Sequence, residues 1–398
     1  MKAGHYTRFS LIKCGCVKYT GERGIRVEFK YAIGNFGIFY INTTISTFFV
    51  MVFRLNGIQN PAILFGTGLL MGAFIQPLIG IISDIYISKG RKIFIILGVL
   101  ICVISTLLLF SKKGNIIFNV ILFYIGFHLY QIPLSAFIPD NIEEDKLNTV
   151  SGLWNATGSL GSIVAPILGT IMLQKGYNYL FLGMFIVIII SAGIPLVLVK
   201  EKKGQFYNNN VINSLIIYLT DKNVRNFYIS KCLWWGGLGA FLPFIMENLI
   251  FKGVSADEAG KICTVFMIFN CISSIFISRV KLGSVILPLA IALITFSGCN
   301  LLFYISSNIK WIFILIPIFG VSYGTIMVCS YNLMIRMIPK GEGGMYLGFD
   351  NIFVNIPQAI SAFLVSSLAI YDKDIFLIIS SSFMALACIY IYHSWDIS

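Results

Sequence analysis

The sequence predicts an all-α membrane protein whose twelve transmembrane helices form two pseudo-symmetric six-helix bundles. Three observations predict it. Of the 398 residues, 57% are hydrophobic and only 12% are charged, about half the charged share that a soluble domain uses to wet its surface. Apolar stretches of roughly 20 residues recur along the whole chain, the length a helix needs to cross about 30 Å of hydrocarbon. The second half also repeats, faintly, local patterns of the first.

Composition excludes several classes. A mean hydropathy of +0.86 leaves too little polar surface for a soluble protein, and no polar linkers divide the chain into soluble domains. The net charge of +12 would suit nucleic acid, but the basic residues fill short breaks between apolar runs, so no nucleic-acid partner is expected. Most of the nine cysteines (Cys102, Cys232, Cys263, Cys271, Cys299, Cys329 and Cys388) lie inside apolar stretches, where a thiol packs as a small apolar group. Cys14 and Cys16 form a lone CxC without a partner pair, so neither a metal nor a cofactor is expected. The first thirty residues are basic and broken by glycine and charge, and read as a cytoplasmic lead rather than a cleaved signal.

Helices are predicted at about 31–53, 61–85, 93–110, 115–138, 149–172, 179–199, 226–250, 256–277, 283–305, 311–335, 344–370 and 375–392. Several carry proline (Pro133, Pro166, Pro243, Pro288, Pro317, Pro357), which membrane helices tolerate. The polar stretch between the sixth and seventh spans is the longest. It divides the chain into a lead (1–30), an N-terminal bundle (31–199), a cytoplasmic linker (200–225) and a C-terminal bundle (226–398). Lysine and arginine near the span ends set orientation. With a cytoplasmic N-terminus, twenty fall inside and eight outside, and Lys231, within a span, completes the 29. Both termini are therefore expected in the cytoplasm. The Ile-, Asn- and Lys-rich composition suits an AT-rich genome, and a bacterial inner membrane is the expected location.

The repeat falls where two-fold architecture would place it. Ile138-Pro139-Asp140 ends the fourth span and Ile338-Pro339-Lys340 the tenth; Gly152-Leu153-Trp154-Asn155 opens the fifth and Gly348-Phe349-Asp350-Asn351 the eleventh. The repeated asparagines, Asn155 and Asn351, join the candidate site.

The loop after the second span reads Gln76-Pro77-Leu78-Ile79-Gly80-Ile81-Ile82-Ser83-Asp84, then, after five residues, Gly90-Arg91-Lys92. It resembles the signature loop of the major facilitator superfamily, in the longer form found in sucrose transporters and the glycoside–pentoside–hexuronide group. Pro133-Leu134-Ser135-Ala136-Phe137-Ile138-Pro139-Asp140 is similar to that branch's fourth-helix end, and Gly348-Phe349-Asp350-Asn351 with Pro357-Gln358 to its eleventh helix. The resemblance implies a secondary transporter working by alternating access between the two bundles. It further implies a small polar solute, in this branch a sugar or glycoside, moved with a proton or sodium ion. Where the branch carries a fourth-helix arginine this chain has Ser135, and where it carries an aspartate three turns earlier this chain has Tyr124. Sucrose-like proton chemistry is therefore not carried over.

Physical chemistry assigns roles within the loop and the spans. Asp84 can accept hydrogen bonds from the free N–H groups at the start of another helix. The glycine-rich entry to the eleventh span, Gly341 to Gly344, is the expected partner. This makes Asp84 a latch on the outward-open state, in a motif that includes Gly80 and Gly90, with Arg91 and Lys92 holding loop and lipid headgroups. Polar groups inside spans are costly and tend to face a cavity or the opposite bundle. Tyr124, His128, Gln131 and Ser135 share one face of the fourth span and are expected to line a cavity, with helix–helix hydrogen bonding as the alternative. Asn35, Asn42 and Ser46 form a thinner stripe on the first.

Lys231 and Asp350 are the sharpest pair. Each lies some five or six residues from the cytoplasmic end of its predicted span, about 8–9 Å deep. An unpaired ion there costs several kcal/mol. The two are expected to pair, either to couple proton or substrate binding to movement or as a structural bridge. Trp235, one turn beyond Lys231, offers an aromatic face for a sugar ring. Glu247 lies near the outer end, where it reaches water. A monomer in the bilayer is expected.

Other readings are weaker. A drug or metabolite exporter of the same superfamily is the nearest. A membrane enzyme would need a cluster of catalytic groups at one depth, and of three histidines (His5, His128, His393) only His128 lies well inside a span. A sensor would usually append a soluble domain. No Gly-x-x-x-x-Gly-Lys-Ser/Thr loop occurs, so ATP drive within the chain is not expected.

Overall fold

The computed structural model describes residues 23–86, 90–141, 144–200, 220–279, 285–306, 309–337 and 348–394. The expectations for Cys14, Cys16 and the Gly341–Gly344 segment lie outside these residues, as does most of the predicted linker. Six helices form the first half: α1 (Arg23–Leu55), α2 (Pro61–Ile85), α3 (Lys92–Phe110), α4 (Ile116–Asn141), α5 (Glu144–Lys175) and α6 (Tyr179–Leu198). Six form the second: α7 (Lys222–Phe251), α8 (Ala256–Arg279), α9 (Ile286–Ser306), α10 (Ile312–Met337), α11 (Ile352–Leu368) and α12 (Ile375–Ser394). Twelve helices among the described residues are long and apolar enough to cross a membrane. The α3 span is the most apolar and mostly exposed, whereas the α1 and α7 spans are the most buried. Exposed Ile93, Ile96, Leu97, Leu100 and Ile104 on α3 would be an aggregation face in water and are ordinary against lipid.

The two halves use the same packing plan. In the first, α1 packs on α5 and α6, α4 on α2 and α3, and α3 on α6; in the second, α7 packs on α11 and α12, α10 on α8 and α9, and α9 on α12. Between halves, α2 meets α11, α5 meets α8 and α1 meets α7. The result is two six-helix bundles that share a seam.

Three helices begin earlier than their apolar content predicts. α1 starts at Arg23, inside the predicted lead; α5 starts at Glu144; and α7 starts at Lys222, inside the predicted linker. Hydropathy marks the hydrocarbon boundary, but a helix runs on into water while its ends are satisfied. At α7, Asp221 accepts from the backbone N–H groups of Asn223 (2.8 Å) and Val224 (3.1 Å), which fixes the start four residues before the apolar run. On α11 the difference is reversed: the regular helix starts at Ile352, after a helical stretch at residues 348–350.

Candidate functional site

The α7–α11 crossing holds the sharpest chemistry. Lys231 Nζ donates to Asp350 Oδ1 at 2.5 Å, and the two side chains are only 5% and 10% exposed. The two groups meet as expected although α7 starts earlier and α11 later than predicted. The ammonium also lies 5.5 Å from the centre of the Phe227 ring. Tyr228 packs on Phe353 at 4.4 Å between ring centres, with Phe349 beside both, so aromatic rings tie together the same crossing that the ion pair spans. Tyr331 of α10, about half exposed, is within electrostatic reach of Asp350. Trp235 is half-buried, and neither its indole N–H nor that of fully buried Trp234 has an acceptor. Asn351 is half-buried at the start of α11 and its side chain caps nothing.

The first half shows what the same crossing looks like without charge. Asn35 Nδ2 donates to the backbone carbonyl of Trp154 at 2.7 Å, joining α1 to α5. Lys231 follows Asn35 by 196 residues, the interval that also separates Asp350 from Trp154. One turn on, Thr157 Oγ1 donates to the Ala32 carbonyl at 2.6 Å. Adding the same interval to each gives Phe353 and Tyr228, the aromatic pair just described. The two crossings are therefore equivalent, and a neutral amide does in one half what an ion pair does in the other. Asn35 is buried in this contact and does not line a cavity as expected; Asn42 is exposed and Ser46 is half-buried, donating to the Thr43 carbonyl at 3.1 Å. Asn155 lies in α5, with its side chain outside the described residues.

The α4 stripe is also corrected. Tyr124 and His128 are buried against α2 rather than facing open space. His128 Nε2 lies 3.0 Å from the Gly68 carbonyl, which can only accept, so this nitrogen carries the proton. Nδ1 then accepts from Gln76 Nε2 at 2.9 Å, and the same amide donates to Gln131 Oε1 at 3.2 Å. His128 is thus a neutral imidazole with both nitrogens used. Ser135 returns its hydroxyl to the Gln131 carbonyl at 2.9 Å. Gly72 makes room for this network: a Cβ there would lie 2.7 Å from the His128 ring and 3.0 Å from the amide nitrogen of Asn355 on α11. Asn355, which the sequence did not single out, is therefore the second half's polar approach to the first. Its signal was available, one helical turn beyond Asn351 on the same face.

In the signature loop, Gly90 has a φ of +99°, a backbone that L side chains rarely adopt. Gly80 is ordinary by comparison, since a Cβ there would meet only Ile132 at 3.7 Å. Arg91 is buried and donates to Ser83 Oγ at 2.6 Å. Lys92 donates to the Leu196 carbonyl at 2.7 Å, capping the last turn of α6 where a cation meets the negative end of the helix dipole. Both side chains are thus bound to protein, where headgroups were expected to take part. The Asp84 carboxylate lies outside the described side chains.

At the end of the bundle away from the termini, the halves are tied together. Glu247 of α7 forms an ion pair with Arg54 of α1, rather than simply reaching water as expected. Gln174 of α5 donates to Asp257 of α8 at 3.4 Å. Among the described residues no group of three or more His, Cys, Asp or Glu side chains could hold a metal.

Comparison with known proteins follows the same lines. The Major Facilitator Superfamily profile matches residues 31–210 and 226–395. The bicyclomycin resistance protein homolog of Haemophilus influenzae is 25% identical over 204 residues, covering 48% of this chain and 49% of that protein. The chain thus spans about half the length of that relative. In fold, a D-xylose–proton symporter superposes with a TM-score of 0.74 at 12% identity, covering 94% of this chain and 98% of that one. A nucleoside transporter gives 0.73 at 14% identity, covering 93% and 100%. A POT family transporter in complex with 5-aminolevulinic acid gives 0.72 at 12%, covering 93% and 96%. At such identities the likeness is one of fold alone.

Proposed function

Because the chain belongs to the Major Facilitator Superfamily, and so is a multi-pass membrane transporter, we propose that it moves a small polar solute by alternating access, driven by protons through Lys231 and Asp350. The observation that carries this reading is the buried ion pair, set where the equivalent crossing of the other half is held by a neutral amide. Packing alone does not call for charge at that position, and a buried pair is a poor source of stability. A site that must change its protonation during a cycle does call for it. With the termini in the cytoplasm, the Arg54–Glu247 and Gln174–Asp257 contacts close the external end, and α2, sliding on α11 past Gly72, is the moving seam. Asp84 then takes the latch role in the opposite state. The solute class suggested by the signature loop is a sugar or glycoside.

The test is uptake of labelled mono- and disaccharides into proteoliposomes under an imposed proton gradient, for the parent, Asp350→Asn and Lys231→Gln. Gradient-driven accumulation that either substitution abolishes supports the reading. Accumulation that survives both substitutions removes the pair from coupling. A second reading, export of a drug or metabolite, is favoured by the likeness to the bicyclomycin resistance protein homolog. In that case everted vesicles accumulate antibiotic when energised, and the pair is tested there in the same way.

A further inference from the structure

We propose that the solute carried at the Lys231–Asp350 site bears a single negative charge, a carboxylate, and that it enters together with one proton. This inference rests on the proton-coupled, alternating-access reading above and departs from its solute class, putting an anion in place of a neutral sugar or glycoside. The first observation is an imbalance of hydrogen-bonding groups. Lys231 offers three N–H donors, and its one hydrogen bond among the described residues goes to Asp350. Trp234 and Trp235, three and four residues further along α7 and hence on the same side of the helix, add two indole N–H groups that are buried and without acceptors. Lys231 and Trp234 share a neighbour, for both lie against the Phe227 ring. An indole nitrogen can only donate. This stretch of α7 is therefore rich in donors, and among the described residues the Asp350 carboxylate is the one charged acceptor set against them. An anionic, acceptor-rich group completes such a surface, whereas a cation adds donors to donors.

The second observation is the neutrality of the pair, which limits what can accompany the solute. The site holds one positive and one negative charge, both nearly excluded from water. If a neutral solute entered with a proton, Asp350 would be neutralised and the Lys231 ammonium left buried without a counter-ion. If a carboxylate enters with the proton, the charges balance at every stage. The proton adds to the Asp350 carboxylate, and the ammonium keeps its charge and passes from Asp350 to the incoming anion. On release the proton leaves Asp350, which takes the ammonium back. Among the described residues, the other titratable groups in electrostatic contact with the pair are Cys232, beside Lys231, and Tyr331 on α10.

Matched solutes that differ only in charge test this. The sets are gluconate, glucitol and glucamine; lactate, propylene glycol and isopropanolamine; and mandelate, phenylethylene glycol and phenylethanolamine. Binding to the purified full chain is measured by thermal shift, and transport in proteoliposomes by a lumenal pH dye. In at least one set the acid is expected to bind more tightly than its two counterparts and to acidify the lumen as it enters. Lys231→Gln should weaken that binding about ten- to hundredfold, and Trp235→Phe, which keeps the ring and removes the N–H, about five- to tenfold. Asp350→Asn should keep exchange of the acid across the membrane and lose the acidification. If no acid binds more tightly than its neutral and amine counterparts, the inference is overturned. A neutral member that carries protons inward overturns it while leaving proton-driven transport standing. Failure of every member to move, the neutral ones included, removes the inference together with the transport reading it rests on.

Discussion

Replacing Asp350 with asparagine strands the buried Lys231 ammonium beside the Phe227 ring. At an effective dielectric near 20, two unit charges 2.5 Å apart attract by about 7 kcal/mol. That attraction offsets the loss of water around two groups that are 5% and 10% exposed. Removing one partner leaves the other's desolvation uncompensated, which costs about 3–5 kcal/mol. Lys231→Asn should cost a similar amount. The double substitution Lys231→Asn with Asp350→Asn should recover most of the loss, to within about 1–2 kcal/mol of the parent, because Asn35 already holds the equivalent crossing without charge. Thermal unfolding of the detergent-purified protein, followed by intrinsic fluorescence, gives the order of the four proteins, and a double-mutant cycle isolates the pair. Proton-driven uptake should be absent from all three variants, including the stable double one. A double variant as unstable as either single would refute the reasoning, for it would make the ion pair itself the structural tie between α7 and α11.

Other perturbations follow from the same geometry. Asn35→Ala should lower stability by about 1 kcal/mol, the net worth of one buried hydrogen bond, because the Trp154 carbonyl still accepts from Thr157 Oγ1 at 2.9 Å, while leaving proton coupling intact in the uptake assay. Glu247→Gln should change stability by less than about 1 kcal/mol, since Arg54 is 58% exposed. Yet it should speed labelling of a cysteine placed at exposed Asn42 by an impermeant thiol reagent added outside, and unchanged labelling would count against a gate there. Gly72→Ala should cost about 1–3 kcal/mol by overpacking His128 and Asn355, visible as a lower unfolding temperature and slower transport. The companion change Asn355→Ala should restore part of both.

The spans were legible because lipid imposes a uniform demand: about twenty apolar residues per crossing, whatever the helix packs against. Helix starts were not, because Asp221 caps a turn of α7 in water that hydropathy does not register. Lys231 and Asp350 could be paired from sequence because charges at that depth are few and each needs an opposite. Asn35 and His128 could not be placed, since an amide or imidazole can be satisfied by a backbone carbonyl, Trp154 or Gly68, that every residue type provides. The same holds for Lys92 on Leu196. Polar side chains whose partners are main chain leave no complementary residue in the sequence to find. Glu247 failed differently: its partner Arg54 was visible, but nothing in a one-dimensional reading brings the ends of the first and seventh spans together.

One consequence of the neutral crossing concerns the membrane voltage. Each unit charge carried across a bilayer at 100 mV gains or loses about 2.3 kcal/mol. Lys231 and Asp350, locked 2.5 Å apart in one half of the molecule, travel as a dipole with no net charge. When the proposed carrier resets empty, the field therefore has almost nothing at this site to act on. Its return should run at the same pace in an energised cell and in a de-energised one, so that the unloaded limb of the cycle does not stall as the membrane potential rises.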